Sequence, residues 1–286
     1  MTTTTMPPRT AGDAAAPQRT RAVRALPTLV VRRMALSVRT PRSVLVPLVA
    51  PSLFALVIAP ALATTLVRGP GRNAYMTFVA LSTAGLLIPL NCLFAGLGVI
   101  IDRQEGAMRE LLVAPIRRST IVFGNLVTAL VLTAFQVAVL IGLAAARGAS
   151  FTVGVRTLWF VVAAVLFAML IYGLAEILTV RLPAPVDYIG AVPALAIVPY
   201  FFAGSLFPIT ALPHWLGAVA KVIPLTHALA LFRYGLTGAA GVTALHNIWG
   251  LHSAAGMAAL SLAVLVLYTV VFLSAAIRLF TKAGTS

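Results

Sequence analysis

The stretch Thr157-Leu-Trp-Phe-Val-Val-Ala-Ala-Val-Leu-Phe-Ala-Met-Leu-Ile-Tyr-Gly-Leu-Ala-Glu176-Ile-Leu-Thr-Val180 holds a single charged residue. About 20 predominantly apolar residues suffice to carry a helix across a bilayer, so this run reads as a membrane span. Comparable runs lie on either side: Val44–Val67, Ala74–Ile101 and Ser119–Ala146 before it, Asp187–Phe207 and Ser253–Ile277 after it. Six spans predict an all-α integral membrane fold with both termini on one side. The whole chain agrees: 286 residues, 60% hydrophobic, 9% charged, mean hydropathy +1.02. A soluble domain carries about 25% charged residues, so this chain has too few to cover a water-facing surface. Its one cysteine, Cys92, excludes an internal disulfide and a cysteine-based metal cluster.

Charge is unevenly spread, with 21 Lys+Arg against 6 Asp+Glu and a net of +15. In a soluble protein this excess would suggest nucleic acid; here membrane topology explains it and no nucleic-acid partner is expected. Eight arginines precede residue 43; Arg103, Arg109, Arg117 and Arg118 follow the second span, Arg181 follows the fourth, and Arg278 and Lys282 follow the last. These fifteen fall on the side of the N-terminus, against six (Arg68, Arg72, Arg147, Arg156, Lys221, Arg233) on the other. The positive-inside rule then predicts cytoplasmic termini in a multi-pass protein. Residues 1–27 read as a disordered basic tail, 28–42 as an amphipathic interfacial helix (a solvated basic tail is the other reading), 43–280 as the membrane domain and 281–286 as a second tail. Tyr75, Phe78, Trp159, Phe160, Tyr200, Phe201 and Phe202 fall near the outer ends of spans, where aromatic rings favour the headgroup level.

Two segments are not simple spans. In Asp102-Arg103-Gln-Glu105-Gly106-Ala-Met108-Arg-Glu110-Leu111-Leu112-Val-Ala-Pro115-Ile-Arg-Arg118, apolar and charged residues fall on opposite helical faces and Pro115 ends the pattern. Such a helix suits docking to another protein, and equally lying flat on the inner leaflet. The segment 204–235 is apolar, but Pro208, Pro213 and Pro224 divide it into pieces too short to cross. Half-helices at about 213–222 and 226–236 would either enter from outside and turn back, or lie in the outer interface with Trp215 and Lys221 snorkelling. Residues 236–251 are expected to form an external loop.

Gly204-Ser-Leu-Phe207-Pro208-Ile-x-x-Leu-Pro213, Ile223-Pro224-Leu-Thr-His227-Ala and Leu231-Phe-Arg233 resemble the C-terminal motif of type-2 ATP-binding-cassette export permeases, among them the daunorubicin-resistance and nodulation lipo-oligosaccharide permeases. The 102–118 stretch is similar to that family's cytoplasmic loop, Arg-x-x-Gly-Thr-x-Glu-x-Leu-x-x-x-Pro, with Ala107 where threonine is usual. The resemblance covers about Arg32 to Phe280. It implies a half-exporter: two such subunits, identical or related, forming the pore, and two separate ATPase subunits, with their ATP and Mg, driving it. It further implies that 102–118 is the coupling helix on the ATPase, and that 208–235 is a re-entrant outer gate with Arg233 as its anchoring charge. The cargo would be a drug, an antibiotic or a lipid, or a lipid-linked saccharide.

The chain lacks chemistry of its own. Its two lysines, Lys221 and Lys282, are followed by Val and Ala, so no phosphate-cradling Gly-x-x-x-x-Gly-Lys-Ser/Thr loop is present. Zinc-hydrolase and nucleophile-elbow motifs are missing. His214, His227, His246 and His252 map to the outer side without nearby carboxylates, so no metal site is expected. Glu176, well inside the fourth span, reads either as an interfacial partner of Arg181 or as the proton site of a proton-coupled transporter. Asn125 and Gln136 share one face of the third span with Thr128 and Thr133, and Asn91 lies in the second. These suit either a cavity for an amphiphile's polar end or interhelical hydrogen bonding. Pro47, Pro51 and Pro60 predict a kinked first span, while Gly85, Gly96 and Gly98 with Ala95 permit close helix packing.

Overall fold

The computed structural model describes residues 51–66, 71–106 and 118–283 and a few isolated positions before 51; the regular elements among them are helical. The 28–42 segment and residues 107–117 lie almost wholly outside this set. A π-helical turn at Phe54–Ile58 leads into α1 (Ala59–Leu66). Pro60 has no N–H to offer the Leu56 carbonyl four residues back, and the Arg147 Nη2 donates to that carbonyl instead, at 3.1 Å. The first span is therefore irregular next to one of the prolines that predicted it.

Next come α2 (Gly71–Gln104), α3 (Arg118–Ala146), α4 (Thr157–Arg181) and α5 (Pro185–Phe202). The short α6 (His214–Ala220) and α7 (Pro224–Leu236) follow, then α8 (Ala239–Trp249) and α9 (Ala254–Ala283). Five of these, α2 to α5 and α9, are long and apolar enough to cross a membrane, and the α6–α7 pair, bent by 78°, makes a sixth if counted as one broken span. Hydrogen bonds fix the relative directions of the helices, α3 antiparallel to α2 and α4 parallel to it. At one end, the Ser150 N–H beyond α3 donates to Thr77 Oγ1 near the start of α2 (2.9 Å); at the other, Arg103 near the end of α2 donates to the Thr179 carbonyl near the end of α4 (3.3 Å).

The core runs through α2 and α4, where Leu81, Leu87, Ile88, Leu93, Phe167 and Tyr172 are fully buried. Lipid tails are as apolar as leucine, so burial from water does not drive these helices together, and close packing must. A methyl group added at Gly96 would fall on the Tyr188 hydroxyl, which donates to the Leu93 carbonyl at 2.7 Å and ties α5 to α2. One added at Gly173 would stand 3.0 Å from the backbone of α9 at Phe272 and Leu273. Gly85 and Gly96 were legible as packing positions; Gly173 was not.

Several boundaries differ from those expected. Helix α5 stops at Phe202 rather than near 207, because Gly204, at φ +77°, turns the chain where a residue with a side chain would be strained. Helix α9 continues to Ala283, past the expected end at 277. The 236–251 segment contains a helix rather than a loop. Its small residues hid an apolar face formed by Val242, Leu245, Ile248 and Trp249, and Gly250, at φ +67°, closes it with its N–H on the His246 carbonyl. The aromatic belt is in part an internal cluster: Phe160 and Tyr200 are buried, and Phe160 and Trp159 stack edge-on against Phe232 and Tyr234 of α7.

Candidate functional site

The bent pair α6–α7 is the most irregular described stretch among the helices, and its irregularity has a local cause. A helix that ends inside a bundle leaves carbonyls without intrahelical donors, and in an apolar medium each must find a partner. At the apex, Ala220, Lys221 and Val222 each find one. Thr226 Oγ1 donates to the Ala220 carbonyl (2.6 Å), His227 Nε2 to Lys221 (2.9 Å) and the Tyr268 hydroxyl of α9 to Val222 (3.1 Å). Pro224, at the first position of α7, spends no N–H there.

His227 is the centre of a chain of donors. With Nε2 protonated toward Lys221, its Nδ1 accepts from Ser261 Oγ (3.3 Å), which in turn accepts from the Trp249 indole (2.8 Å). One imidazole thus links the apex, α7, α8 and α9. Sequence pattern pointed to Pro224 and His227 but missed Ser261, Trp249 and Tyr268, although Ser261 is a lone hydroxyl in the apolar run from Ala254 to Leu267.

From Leu225 to Leu236 every residue of α7 is buried, Arg233 among them. Its Nη2 donates to Ser82 Oγ of α2 and to the Gly204 carbonyl, both at 2.9 Å, and its guanidinium carbon lies 4.0 Å from the centroid of the Phe78 ring. Gly204, the residue that ends α5, therefore presents its carbonyl to the cation. A cavity of about 340 Å³ adjoins this cluster, lined by Pro208, Ile209, Arg233, Ala240 and Asn247 among others. Pro208 and Arg233 are thus brought together, whereas Phe207 and Pro213 are exposed beside α6, with Trp215 67% exposed on its surface. One half of the pair is an exposed helix and the other a core helix.

A family model described as ABC-2 type transporter matches residues 24–237. The chain belongs to this family. It is also 27% identical over 141 residues to ycf38 of Porphyra purpurea, whose name places it among transport permeases. That match spans 49% of this chain and 48% of the relative, about half of each. ABC-2 membership, with five or six apolar helices able to cross a bilayer, makes the chain a multi-pass membrane protein of a transporter family.

Within an ABC-2 permease the 102–118 stretch carries particular interest. Asp102 and Arg103 belong to the last turn of α2 rather than to a separate helix. Glu105 and Gly106 form the turn that ends it, with Gly106 at φ +82°. Met108, Glu110, Leu111, Leu112 and Pro115 lie outside the described residues.

The polar residues inside the spans divide by setting. Glu176 is buried and accepts from the Tyr172 hydroxyl, while Arg181 is exposed. Gln136, Thr128 and Thr133 are buried, with Thr133 Oγ1 4.0 Å from Cys92 Sγ of α2. Asn91 and Asn125 are half-buried. Thr133 on this face of α3 thus meets α2, while Thr128 bonds the Gly124 carbonyl of its own helix. The larger opening, an apolar groove of about 800 Å³ between α3 and α4, is lined by Thr133 but by none of Asn91, Asn125, Gln136 or Glu176. No group of three potential metal ligands occurs among the described residues.

Proposed function

We propose that this chain is the membrane half of an ABC exporter, moving a hydrophobic or amphiphilic molecule (drug, antibiotic or lipid) out of a bacterial-type cell while a separate subunit hydrolyses ATP. The observation that carries this reading is the hydrogen-bonded α6–α7 pair, an exposed helix joined to a buried one, set at the end of the bundle opposite the Glu105–Gly106 turn that closes α2. An outward gate at one end and a motor-docking element at the other are what an exporter needs. The fifteen-to-six division of basic residues favours the docking end as the cytoplasmic one. Two copies of the chain, or this chain and a relative, would enclose the pathway, with two ATPase subunits beneath them. The apolar α3–α4 groove favours cargo with hydrocarbon character, a class that includes lipid-linked saccharides.

Co-purification tests the coupling. A P-loop ATPase should come down with the tagged chain, and Leu111→Asp with Leu112→Asp should release it while leaving the permease in the membrane. Reconstituted complex should transport on ATP and show substrate-stimulated hydrolysis. Transport that persists in ATP-free vesicles under a proton gradient, and stops in Glu176→Gln, would instead make the chain a proton-coupled carrier.

A further inference from the structure

Arg233 is a buried cation, 8% exposed, and no acid among the described residues lies near it. The chain has six acids. Of the four in the described residues, Asp102 and Glu105 lie at the end of α2, Glu176 near the end of α4 and Asp187 in the first turn of α5. All four are at the far end of the bundle, whereas Arg233 sits beside Phe78, Tyr200 and Gly204. A buried charge is costly unless it is paired and hydrogen-bonded. Here Nη2 is satisfied by Ser82 and Gly204 and the guanidinium face by Phe78, but the buried Nε has no hydrogen-bond partner. If the side chain served only to pin α7 to α2 and Gly204, a neutral donor would do so without the cost of burying a charge.

The cavity beside Arg233 has room for a group that could meet the guanidinium. Its wall adds the Asn247 amide, and its remaining lining is mostly small or apolar, including Ala74, Ala203, Ala230, Ala240 and Ala244. The hydroxyls of Thr226, Thr237 and Thr243 are committed to backbone carbonyls, so the guanidinium is the dominant polar feature. We propose that this cavity is an oxyanion site, in which Arg233 receives a phosphate or carboxylate group entering past Ala240 and Asn247. Guanidinium suits this role because its planar fork offers several donors to a tetrahedral or planar oxyanion. The oxyanion arrives either as a free solute or as the headgroup of an anionic lipid. The assignment rests on Arg233 and its surroundings and is independent of the exporter reading.

Binding to the purified full-length chain tests it in two arms. In neutral detergent, inorganic phosphate titrated against sodium chloride of equal ionic strength should raise the unfolding midpoint saturably. In nanodiscs of phosphatidylcholine with and without phosphatidylglycerol, native mass spectrometry should count retained phosphatidylglycerol. Arg233→Gln removes the charge; Ala240→Leu, at an exposed position, fills the mouth without touching the contacts of Nη2. Each should weaken binding at least about tenfold, Arg233→Gln by losing a charge-assisted hydrogen bond and Ala240→Leu by filling the mouth. A saturable response to phosphate assigns the free solute, and a response confined to phosphatidylglycerol discs assigns the headgroup. No response in either arm, or one that survives Ala240→Leu, overturns the site, and that variant decides even if Arg233→Gln fails to fold.

Discussion

At the scale of single residues, the apex of the bent pair depends on a few side chains more than on any stretch of sequence. His227 donates to the Lys221 carbonyl and accepts from Ser261, so truncating it strands a carbonyl at the apex and a hydroxyl on α9 at once. An unsatisfied buried polar group costs about 1–3 kcal/mol, so His227→Ala should lower the denaturation midpoint of the purified permease, and His227→Asn, whose amide can still donate, should recover part of the loss. An alanine variant as stable as the native chain would remove His227 from this role. Glu176 offers a contrasting case. Its hydrogen bond from Tyr172 needs only an acceptor oxygen, which glutamine retains. Under the exporter reading Glu176→Gln should leave ATP-driven transport within a few-fold, and abolished transport in a correctly folded variant would show that the charge itself is used.

At the scale of elements, what was legible followed what the physics writes into local sequence. Long apolar runs fix spans, and prolines at 208, 213 and 224 fix the breaks in the bent pair to within a few residues. Helix α8 was illegible because its apolar face is made of residues spaced among small ones, and its stability comes from packing on α7 and α9. Small residues also show which information the sequence lacks. Gly142 and Gly173 both sit in spans and look alike in the chain, yet an added methyl at Gly142 meets nothing within 4 Å, while one at Gly173 meets the backbone of α9. Overpacking of this kind costs about 1–3 kcal/mol, and more when backbone must move. Gly173→Leu should therefore abolish or sharply reduce the folded fraction in detergent, and Gly142→Leu should leave it near the native level; equal behaviour of the two would contradict the α4–α9 contact.

At the scale of the whole molecule, the architecture is directional, and composition alone could not say why. In the sequence, the basic excess, which in a soluble chain would signal nucleic acid, instead divides fifteen to six between the two expected sides. That division needs helix direction to alternate along the chain, and the Thr77–Ser150 bond between antiparallel α2 and α3 and the Arg103–Thr179 bond between the like ends of α2 and α4 fit this alternation. The candidate gate is likewise assembled from distant sequence, with Ser82, Gly204 and Arg233 drawn from α2, the turn after α5 and α7, so motif spacing alone could not assemble it. Orientation follows as a prediction that the chain is unusually suited to test. Its one cysteine, Cys92, is 1% exposed against α3, so the native protein should be silent to a membrane-impermeant maleimide and needs no cysteine-free background. Glu105 and His246 are both exposed and stand at opposite ends of the bundle. If the end rich in arginine faces the cytoplasm, His246→Cys should label in intact cells and Glu105→Cys only after permeabilisation. The reverse pattern would invert the permease and turn the proposed outer gate toward the cytoplasm. Labelling of both positions from outside would break the antiparallel arrangement itself, because α2 could not then carry Glu105 to the side opposite Arg233.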